Sequence, residues 1–293
     1  MRFCSALLLT LALTFPGSSM AQTQSTAGAI QGTVTDATGG ALPGTMVAIR
    51  NVDTNATESR TTDQAGRFVA LQLPPGRYTV TFTLQGFSTL VQDGVVLTVG
   101  QTITLMPRLA VSTVQQTVTV TGTPTVETTR SGVASTLDER VISTLPILGR
   151  KFEDFLTLTP GVSVVQGPDG DEISFAGQKG IFNNISLDGG DYNNGFFGEQ
   201  AGGQRAAIDI TLDAVKEFQV IATGAPAEFG RTAGGIVNVV TKSGTNTIKG
   251  SVFHFQRLED LTAELADGST LDGFHREQFG GTLGGPLKKD RTP

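Results

Sequence analysis

A short run of mostly β-branched residues, IVNVV at residues 236–240, lies between two glycine-rich turns. Its length and composition are typical of a strand that is buried on both faces of a sheet. Gly234 and Gly235 allow a close backbone approach before the run, and residues 242–246 turn the chain after it. The segment contains no nucleophile, general base or metal-ligand cluster. We therefore interpret it as an element of the architecture and not of a catalytic site.

The longer segment around this run, residues 225–250, reads APAEFGRTAGGIVNVVTKSGTNTIKG. It resembles the end of the plug domain of TonB-dependent outer-membrane receptors, and is most similar to the Oar-like branch of that family. Members of this branch also carry an N-terminal carboxypeptidase-regulatory-like domain. The resemblance implies a mainly β chain: a seven-stranded transthyretin-like β-sandwich, an α+β plug, and the first strands of a transmembrane β-barrel.

Composition and charge agree with a β-rich exported chain. The 293 residues include 37 glycines and no tryptophan, and the net charge is −6 with 21 scattered basic residues. This pattern argues against nucleic-acid binding, which needs clustered Lys and Arg. Residues 1–21 have the charged start, short apolar core and small-residue end of a secretory signal peptide. Cys4 is the only cysteine and would leave with it, so no disulfide or thiolate metal site is expected in the mature chain.

Residues 28–108 alternate apolar and polar side chains in short segments separated by regular turns, which predicts a β-sandwich. The segment from Tyr78 to Leu84 alternates without interruption. Motifs such as LPG at residues 42–44 resemble the carboxypeptidase-regulatory-like domain, which is not catalytic despite its name. Asp36 and Asp63 could be calcium ligands, but we favour Asx turns, in which each carboxylate binds nearby amides. The expected role is a periplasmic docking module.

Residues 109–132 form a connector that contains one alternating segment. In receptors of this family a short extended segment before the plug, the TonB box, pairs with the inner-membrane protein TonB. The resemblance puts it at Thr117, Val118, Thr119 and Val120. The alternative is a plain final strand of the sandwich. An added strand would draw its affinity from main-chain hydrogen bonds.

Residues 133–248 are expected to form the plug. The sequence predicts helices at residues 135–145, 151–158 and 212–218, and strands at residues 173–175, 185–187, 219–222 and 236–241. The loop after the second of these strands is a candidate for ligand contact because it mixes amides with aromatic rings. Its candidate residues are Asp191, Tyr192, Asn193, Asn194, Phe196 and Phe197. The alternative is a glycine-rich loop whose aromatic side chains pack against the barrel wall.

Charged side chains of the plug are expected to form ion pairs between elements or to face the barrel lumen. No single pair can be assigned from the sequence. The charged residues concerned are Arg205, Lys216, Glu217, Glu228 and Arg231. The acids at residues 169–172 lack the spacing of a calcium loop, and we interpret them as a solvated turn.

Residues 249–293 resemble the first barrel strands of Oar-like receptors. Phe253 and Phe255 alternate with His254 and Gln256, as in a transmembrane strand. Two strands cannot close a barrel, so the sequence is expected to be either a fragment of a longer receptor or a broken gene.

No catalytic residue, metal ligand or cofactor motif is present in the sequence, and we expect no enzyme activity. The function implied by the resemblance is that of the N-terminal part of a TonB-dependent transporter in the cell outer membrane. Its expected partners are TonB, outer-membrane lipid and an unknown transported ligand. The alternative is a secreted adhesin module that binds carbohydrate or protein.

Overall fold

The computed structural model describes residues 26–112, 117–121, 133–145, 147, 152–167, 170–193, 210–225, 229–230, 232–263 and 273–290. The expected signal peptide, residues 1–21, lies outside these ranges. Strands dominate the described residues, which confirms the prediction of a mainly β chain. Within the same ranges, no helix has the length and hydropathy needed to cross a membrane.

The N-terminal β unit, residues 26–112 together with residues 117–121, consists of two sheets and a short strand pair. One sheet has the order β5-β1-β8, the other β10-β7-β6-β3-β4, and β2 pairs with β9. The strands are β1 (Gly28–Thr33), β2 (Thr35–Asp36), β3 (Met46–Asn51), β4 (Thr57–Thr61), β5 (Arg67–Leu73), β6 (Gly76–Thr83), β7 (Thr89–Leu97), β8 (Thr102–Leu105), β9 (Arg108–Leu109) and β10 (Thr117–Thr121).

The two sheets of this unit enclose one apolar core. Alternation along β6 places Tyr78, Val80 and Phe82 inside, all at most 2% exposed. The ring of Phe82 meets the ring of Phe68 from the opposite sheet edge-to-face, with centroids 5.7 Å apart. Burial of these strands against each other explains why the alternating segments are stable without a disulfide.

Two aspartates at turns of this unit bind backbone amides, as predicted. Asp36 Oδ1 accepts hydrogen bonds from the hydroxyl of Thr38 at 2.7 Å and from the amides of Thr38 and Gly40, both at 2.8 Å. Asp63 Oδ1 accepts from the amides of Ala65 at 2.9 Å and Arg67 at 2.8 Å. These bonds favour the charged form, so the pKa of each carboxyl lies below its ordinary value. The Asx-turn interpretation is therefore confirmed for both.

The α+β unit, described between residues 133 and 241, contains a five-stranded sheet of order β11-β16-β17-β14-β15 and a β12–β13 hairpin. Its strands are β11 (Ala134–Asp138), β12 (Val162–Gly167), β13 (Gly170–Phe175), β14 (Asn184–Leu187), β15 (Gly190–Asp191), β16 (Val215–Ile221) and β17 (Ile236–Thr241). Its helices within the described residues are α1 (Glu139–Thr144) and α2 (Phe152–Leu156), with 3₁₀ turns at Gly180–Phe182 and Leu212–Ala214.

Two helix predictions need correction. Residues 135–138 belong to β11, and α1 begins only after Asp138, whose carboxylate accepts the amide of Val141 at 2.9 Å as the N-cap. Residues 215–218 belong to β16, preceded only by the short 3₁₀ turn. Both segments pair with each other in antiparallel register, so the sheet overrides a local helical pattern. The predicted second helix is confirmed by α2, and the predicted strands coincide with parts of β13, β14, β16 and β17.

The run at residues 236–240 is the centre of the α+β unit. In β17 every residue from Ile236 to Val240 is buried, as predicted for a strand covered on both faces. On one face the helices pack, and Phe155 of α2 meets Phe218 of β16 with ring centroids 5.9 Å apart. The close approach expected at the glycines is also confirmed: a Cβ on Gly235 would lie 2.1 Å from the ring of Phe175.

A two-stranded hairpin follows, formed by β18 (Lys249–Leu258) and β19 (His275–Gly284). The rings of Phe253 and Phe255 lie on one face with centroids 5.7 Å apart, as the alternation predicted. The other face carries His254, directly opposite Phe279, which is 80% exposed. Each face of the hairpin therefore carries aromatic side chains.

Candidate functional site

The connector strand β10 lies on the edge of the N-terminal β unit. It pairs with β7 in parallel, with Val118 opposite Leu90 and Val120 opposite Gln92. The chain reaches this edge through residues 110–112, where the amide of Ser88 donates to the carbonyl of Ala110 at 2.8 Å. Thr119 is exposed. The four residues predicted as a TonB box are thus held by main-chain pairing in this structure.

The candidate ligand loop is described as far as Asn193. Asn194, Phe196 and Phe197 lie outside the described residues. Asp191 is exposed, and Tyr192 is half-buried against the core of the α+β unit. The side-chain nitrogen Nδ2 of Asn193 donates to Asn184 Oδ1 at 2.8 Å and to Asp191 Oδ1 at 2.7 Å.

The other end of the Asn193 side chain is also engaged. Its Oδ1 accepts the main-chain amide of Ile185 at 3.1 Å. Asn193 therefore fastens the loop to β14, and this contact was not evident from the sequence. The turn before it is closed by Asp188, in a left-handed conformation with φ 49°, whose carboxylate accepts the amide of Thr241 at 2.8 Å.

A second polar site joins the N-terminal β unit to the sheet of the α+β unit. The carboxylate oxygen Oε1 of Glu217 accepts the main-chain amide of Val99 at 2.6 Å. Gln219 Nε2 donates to the carbonyl of the same Val99 at 3.2 Å. Lys216 Nζ donates to the carbonyl of Pro75. We call this group of contacts the Val99 clamp.

A β-bulge explains how two neighbours in sequence both reach the other unit. The register of β16 against β17 shifts between Val215 and Glu217. Such a bulge redirects a side chain that would otherwise point to the opposite face. Lys216 and Glu217 consequently both contact the N-terminal β unit. The sequence predicted ion pairs between elements, or exposure to the barrel lumen, for these two residues. Their partners in the clamp are instead main-chain groups of Val99 and Pro75.

The clamp residues Glu217, Gln219 and Val99 are almost completely shielded from solvent. Glu217 is 4% exposed, Gln219 1% and Val99 0%. Burial raises the pKa of Glu217 to about 7, against the opposing effects of the Val99 amide and the Lys216 ammonium. The negative charge of Asp138, which lies opposite Glu217 on β11, raises this pKa further.

A third contact brings three parts of the chain together near Asn246. The amide of Asn246 donates to the carbonyl of Asp53 at 2.9 Å, and Asn246 Oδ1 accepts the amide of Asp290 at 2.8 Å. Asp290 Oδ1 in turn accepts from Asn55 Nδ2 at 2.7 Å. These polar contacts hold the segment that follows the α+β unit against a loop of the N-terminal β unit.

Several charged residues singled out in the sequence lie outside the described residues, namely Arg205, Glu228 and Arg231. The side chains of residues 169–171 are also outside. Across the ranges that the structure describes, no group of three or more His, Cys, Asp or Glu side chains could hold a metal ion.

Comparisons with known proteins locate two matches along the chain. Residues 29–112 match the carboxypeptidase regulatory-like domain, and residues 240–292 match the outer membrane beta barrel domain. The chain is 28% identical over 281 residues to the TonB-dependent transporter Oar of Myxococcus xanthus. That alignment covers 89% of this chain and 25% of the relative, so the chain spans about a quarter of the length of the curated relative it matches.

Solved structures of outer-membrane receptors also align with the chain. The siderophore receptor PirA from Acinetobacter baumannii is 24% identical with a TM-score of 0.41, over 54% of this chain and 23% of the receptor. The ferric enterobactin receptor PfeA from Pseudomonas aeruginosa is 22% identical with a TM-score of 0.41, over the same shares of the two chains. At these TM-scores the likeness does not define the fold. The curated relative named here is described as a transporter.

Proposed function

We propose that this chain, a TonB-dependent outer-membrane receptor sequence with a carboxypeptidase regulatory-like domain, provides the plug that gates energy-coupled uptake of a ligand. The observation that carries the proposal is the order of parts. A connector strand, a small α+β unit and a hairpin within a matched outer-membrane barrel segment follow one another directly. The position of the α+β unit directly before the barrel segment supports its proposed role as the plug.

The proposed division follows the boundaries drawn from the sequence. Residues 28–108 form the transthyretin-like sandwich, residues 109–132 the connector, residues 133–248 the plug, and residues 249–293 the start of the barrel. Two separate hydrophobic clusters support the division. One is built around Phe82 in the N-terminal β unit and the other around Phe155 in the α+β unit.

TonB is the proposed partner of the connector, at Thr117, Val118, Thr119 and Val120. Main-chain pairing with β7 shows that this segment is able to add to a sheet edge. One strand edge cannot pair with β7 and with an incoming strand of TonB through the same donors and acceptors. We therefore infer that TonB engages this segment either on its free edge or after release from β7.

The ligand of the proposed transporter would meet the plug at the loop after β14. Asp191 is exposed there, whereas Tyr192 and Asn193 are turned toward their own unit. Within the described part of the loop, Asn193 therefore acts as a positioning residue that fastens the start of the loop to β14.

The rival proposal, a secreted adhesin module, gains no specific support. An adhesin does not need a barrel segment, whereas residues 240–292 match the outer membrane beta barrel domain. The match also agrees with localisation in the outer membrane.

The test of the proposal is a proline scan of the connector in the full-length receptor. Val118→Pro removes a main-chain donor and fixes φ, so we expect it to abolish cross-linking between a cysteine at Thr119 and the periplasmic domain of TonB. The matched control is Val126→Pro, which places the same residue in the connector outside β10 and should leave cross-linking intact. Normal cross-linking in Val118→Pro would overturn the assignment, provided that circular dichroism shows all variants folded.

A further inference from the structure

The Val99 clamp buries an ionisable group whose hydrogen bonds are incomplete. Glu217 receives one main-chain hydrogen bond across the contact, from the amide of Val99. A carboxylate held away from water is stable only when it is well paired and fully hydrogen-bonded. The nearby ammonium of Lys216 is directed to the carbonyl of Pro75. The clamp therefore gives the charged form of Glu217 little compensation.

A second and independent sign lies two residues along the same strand. Gln219 Oε1 is buried and has no hydrogen-bond partner among the described residues. Residues i and i+2 of a strand share a face, so this acceptor lies on the side of the sheet that carries Glu217. A neutral carboxylic acid has an O–H donor that a carboxylate lacks. Protonation of Glu217 would thus supply a donor on a face where an acceptor is unsatisfied.

We propose that Glu217 is a proton-controlled latch between the N-terminal β unit and the α+β unit, closed by its neutral form and loosened by its ionised form. The proposal concerns docking of the two units and holds whether or not the connector binds TonB. If the chain acts as the transporter proposed above, the latch decides how firmly the N-terminal β unit follows the plug.

The direction of the pH effect follows from the affinity of each state for the proton. The pKa of Glu217 is about 7 in the docked state, against an ordinary value of 4.5. The docked state therefore binds the proton more tightly, and docking weakens as the pH rises from about 4.5 to about 7. A difference of this size corresponds to a change of up to about 300-fold in the docking equilibrium across that window.

The charged groups around Glu217 set the pH at which half of it is ionised. Asp138 faces Glu217 from β11 and Lys216 precedes it on β16, and the two act in opposite directions. The opposing residue on β17 is Val240. The N-terminal β unit contributes the main-chain groups of Val99 and Pro75 to the clamp.

The test measures the distance between the two units in the full-length receptor. In a background in which every native cysteine is replaced by serine, spin labels can be placed at Ser59 and Ser143, both at accessible positions. Pulsed electron resonance from pH 4.5 to 8.5 is expected to show one narrow docked distance in acid and a broadened distribution above pH 7. A distance distribution that is unchanged across this range would overturn the proposal.

Two variants separate the latch from general acid effects. Glu217→Gln keeps the shape and an acceptor for Val99 but cannot ionise, so the docked distance should persist at every pH. Asp138→Asn keeps Glu217 and removes the charge that raises its pKa, so the transition should remain and move to lower pH. If Glu217→Gln shows the same pH-dependent change in distance as the unmodified receptor, a group other than Glu217 controls docking. Circular dichroism of each variant excludes a folding defect as the cause.

Discussion

The N-terminal β unit and the α+β unit bury their polar side chains in different ways. In the first, Thr62 Oγ1 donates to the carbonyl of Leu42 at 2.7 Å and accepts the amide of Thr45 at 2.9 Å. These partners are main-chain groups of the same unit, at a turn. In the second, polar side chains lie in the middle of the sheet, where Ser186 Oγ donates to Asn238 Oδ1 at 2.8 Å. Both residues of that pair are fully buried.

The difference shows which surface is built to meet another part of the molecule. The buried hydroxyl of Thr62 has its partners within its own unit. The sheet of the α+β unit carries Glu217 and Gln219, which form hydrogen bonds with Val99 of the other unit. A polar buried face costs stability unless each group is bonded, so this face is suited to a contact that forms and opens.

The largest effect is expected from removing the central ring of each core. Phe82→Ala and Phe155→Ala should each destabilise their own unit by about 3–5 kcal/mol, because both rings are fully buried and leave a cavity. Hydrogen exchange read by mass spectrometry reports each unit separately within one protein. We expect Phe82→Ala to raise exchange in residues 28–109 and Phe155→Ala to raise it in residues 134–241.

If either variant raised hydrogen exchange equally in both units, the two cores would unfold as one cooperative body. That result would contradict the view that each unit has its own core. An exposed apolar residue serves as the matched control in each unit. Leu71→Ala and Leu158→Ala, at 59% and 52% exposure, should leave exchange almost unchanged.

A smaller effect is expected from the buried polar pair. Asn238→Leu removes the acceptor of Ser186 and should cost the α+β unit about 1–3 kcal/mol, because a buried hydroxyl is left without its partner. Adding Ser186→Ala should recover part of this loss, as both polar partners are then gone. Chemical denaturation followed by hydrogen exchange measures the difference, and a double variant no more stable than Asn238→Leu alone would contradict the pairing.

Much of the strand pattern was predictable because alternation and glycine-bounded runs are local features. β6 and β17 were predicted from such runs. The segments at residues 135–138 and 215–218 were predicted wrongly, because their helical features are also local while their pairing partner lies about 80 residues away. Nearly every residue of β16 is buried, so the strand shows no alternation that would reveal it.

The candidate site was predictable in part. The sequence located the extended connector segment, and it predicted ion pairs between elements or exposure to the barrel lumen for Lys216 and Glu217. It could not supply their partners, because Val99 and Pro75 act through main-chain groups that carry no side-chain signal. The inward bonds of Asn193 were likewise hidden, since an amide in a loop binds ligand and backbone equally well.

The smallest effect is expected at the Asx turn of Asp63, and acid should act there in the direction opposite to its action at Glu217. The amides of Arg67 and Ala65 hold the pKa of this exposed carboxyl below its ordinary value of 3.8. The folded state therefore binds the proton less tightly, and the stability that the turn contributes is present above that value and is lost as the pH falls below it.

Hydrogen exchange at residues 62–67, corrected for intrinsic rates, should show protection decreasing between pH 5 and pH 3. Asp63→Asn keeps an acceptor for the amides but cannot ionise, so its protection should be lower and nearly constant with pH. If the asparagine variant loses protection in acid as the unmodified turn does, a group other than Asp63 causes the loss. Acid would then not weaken this turn through Asp63, and the contrast with the contact at Glu217 would be wrong.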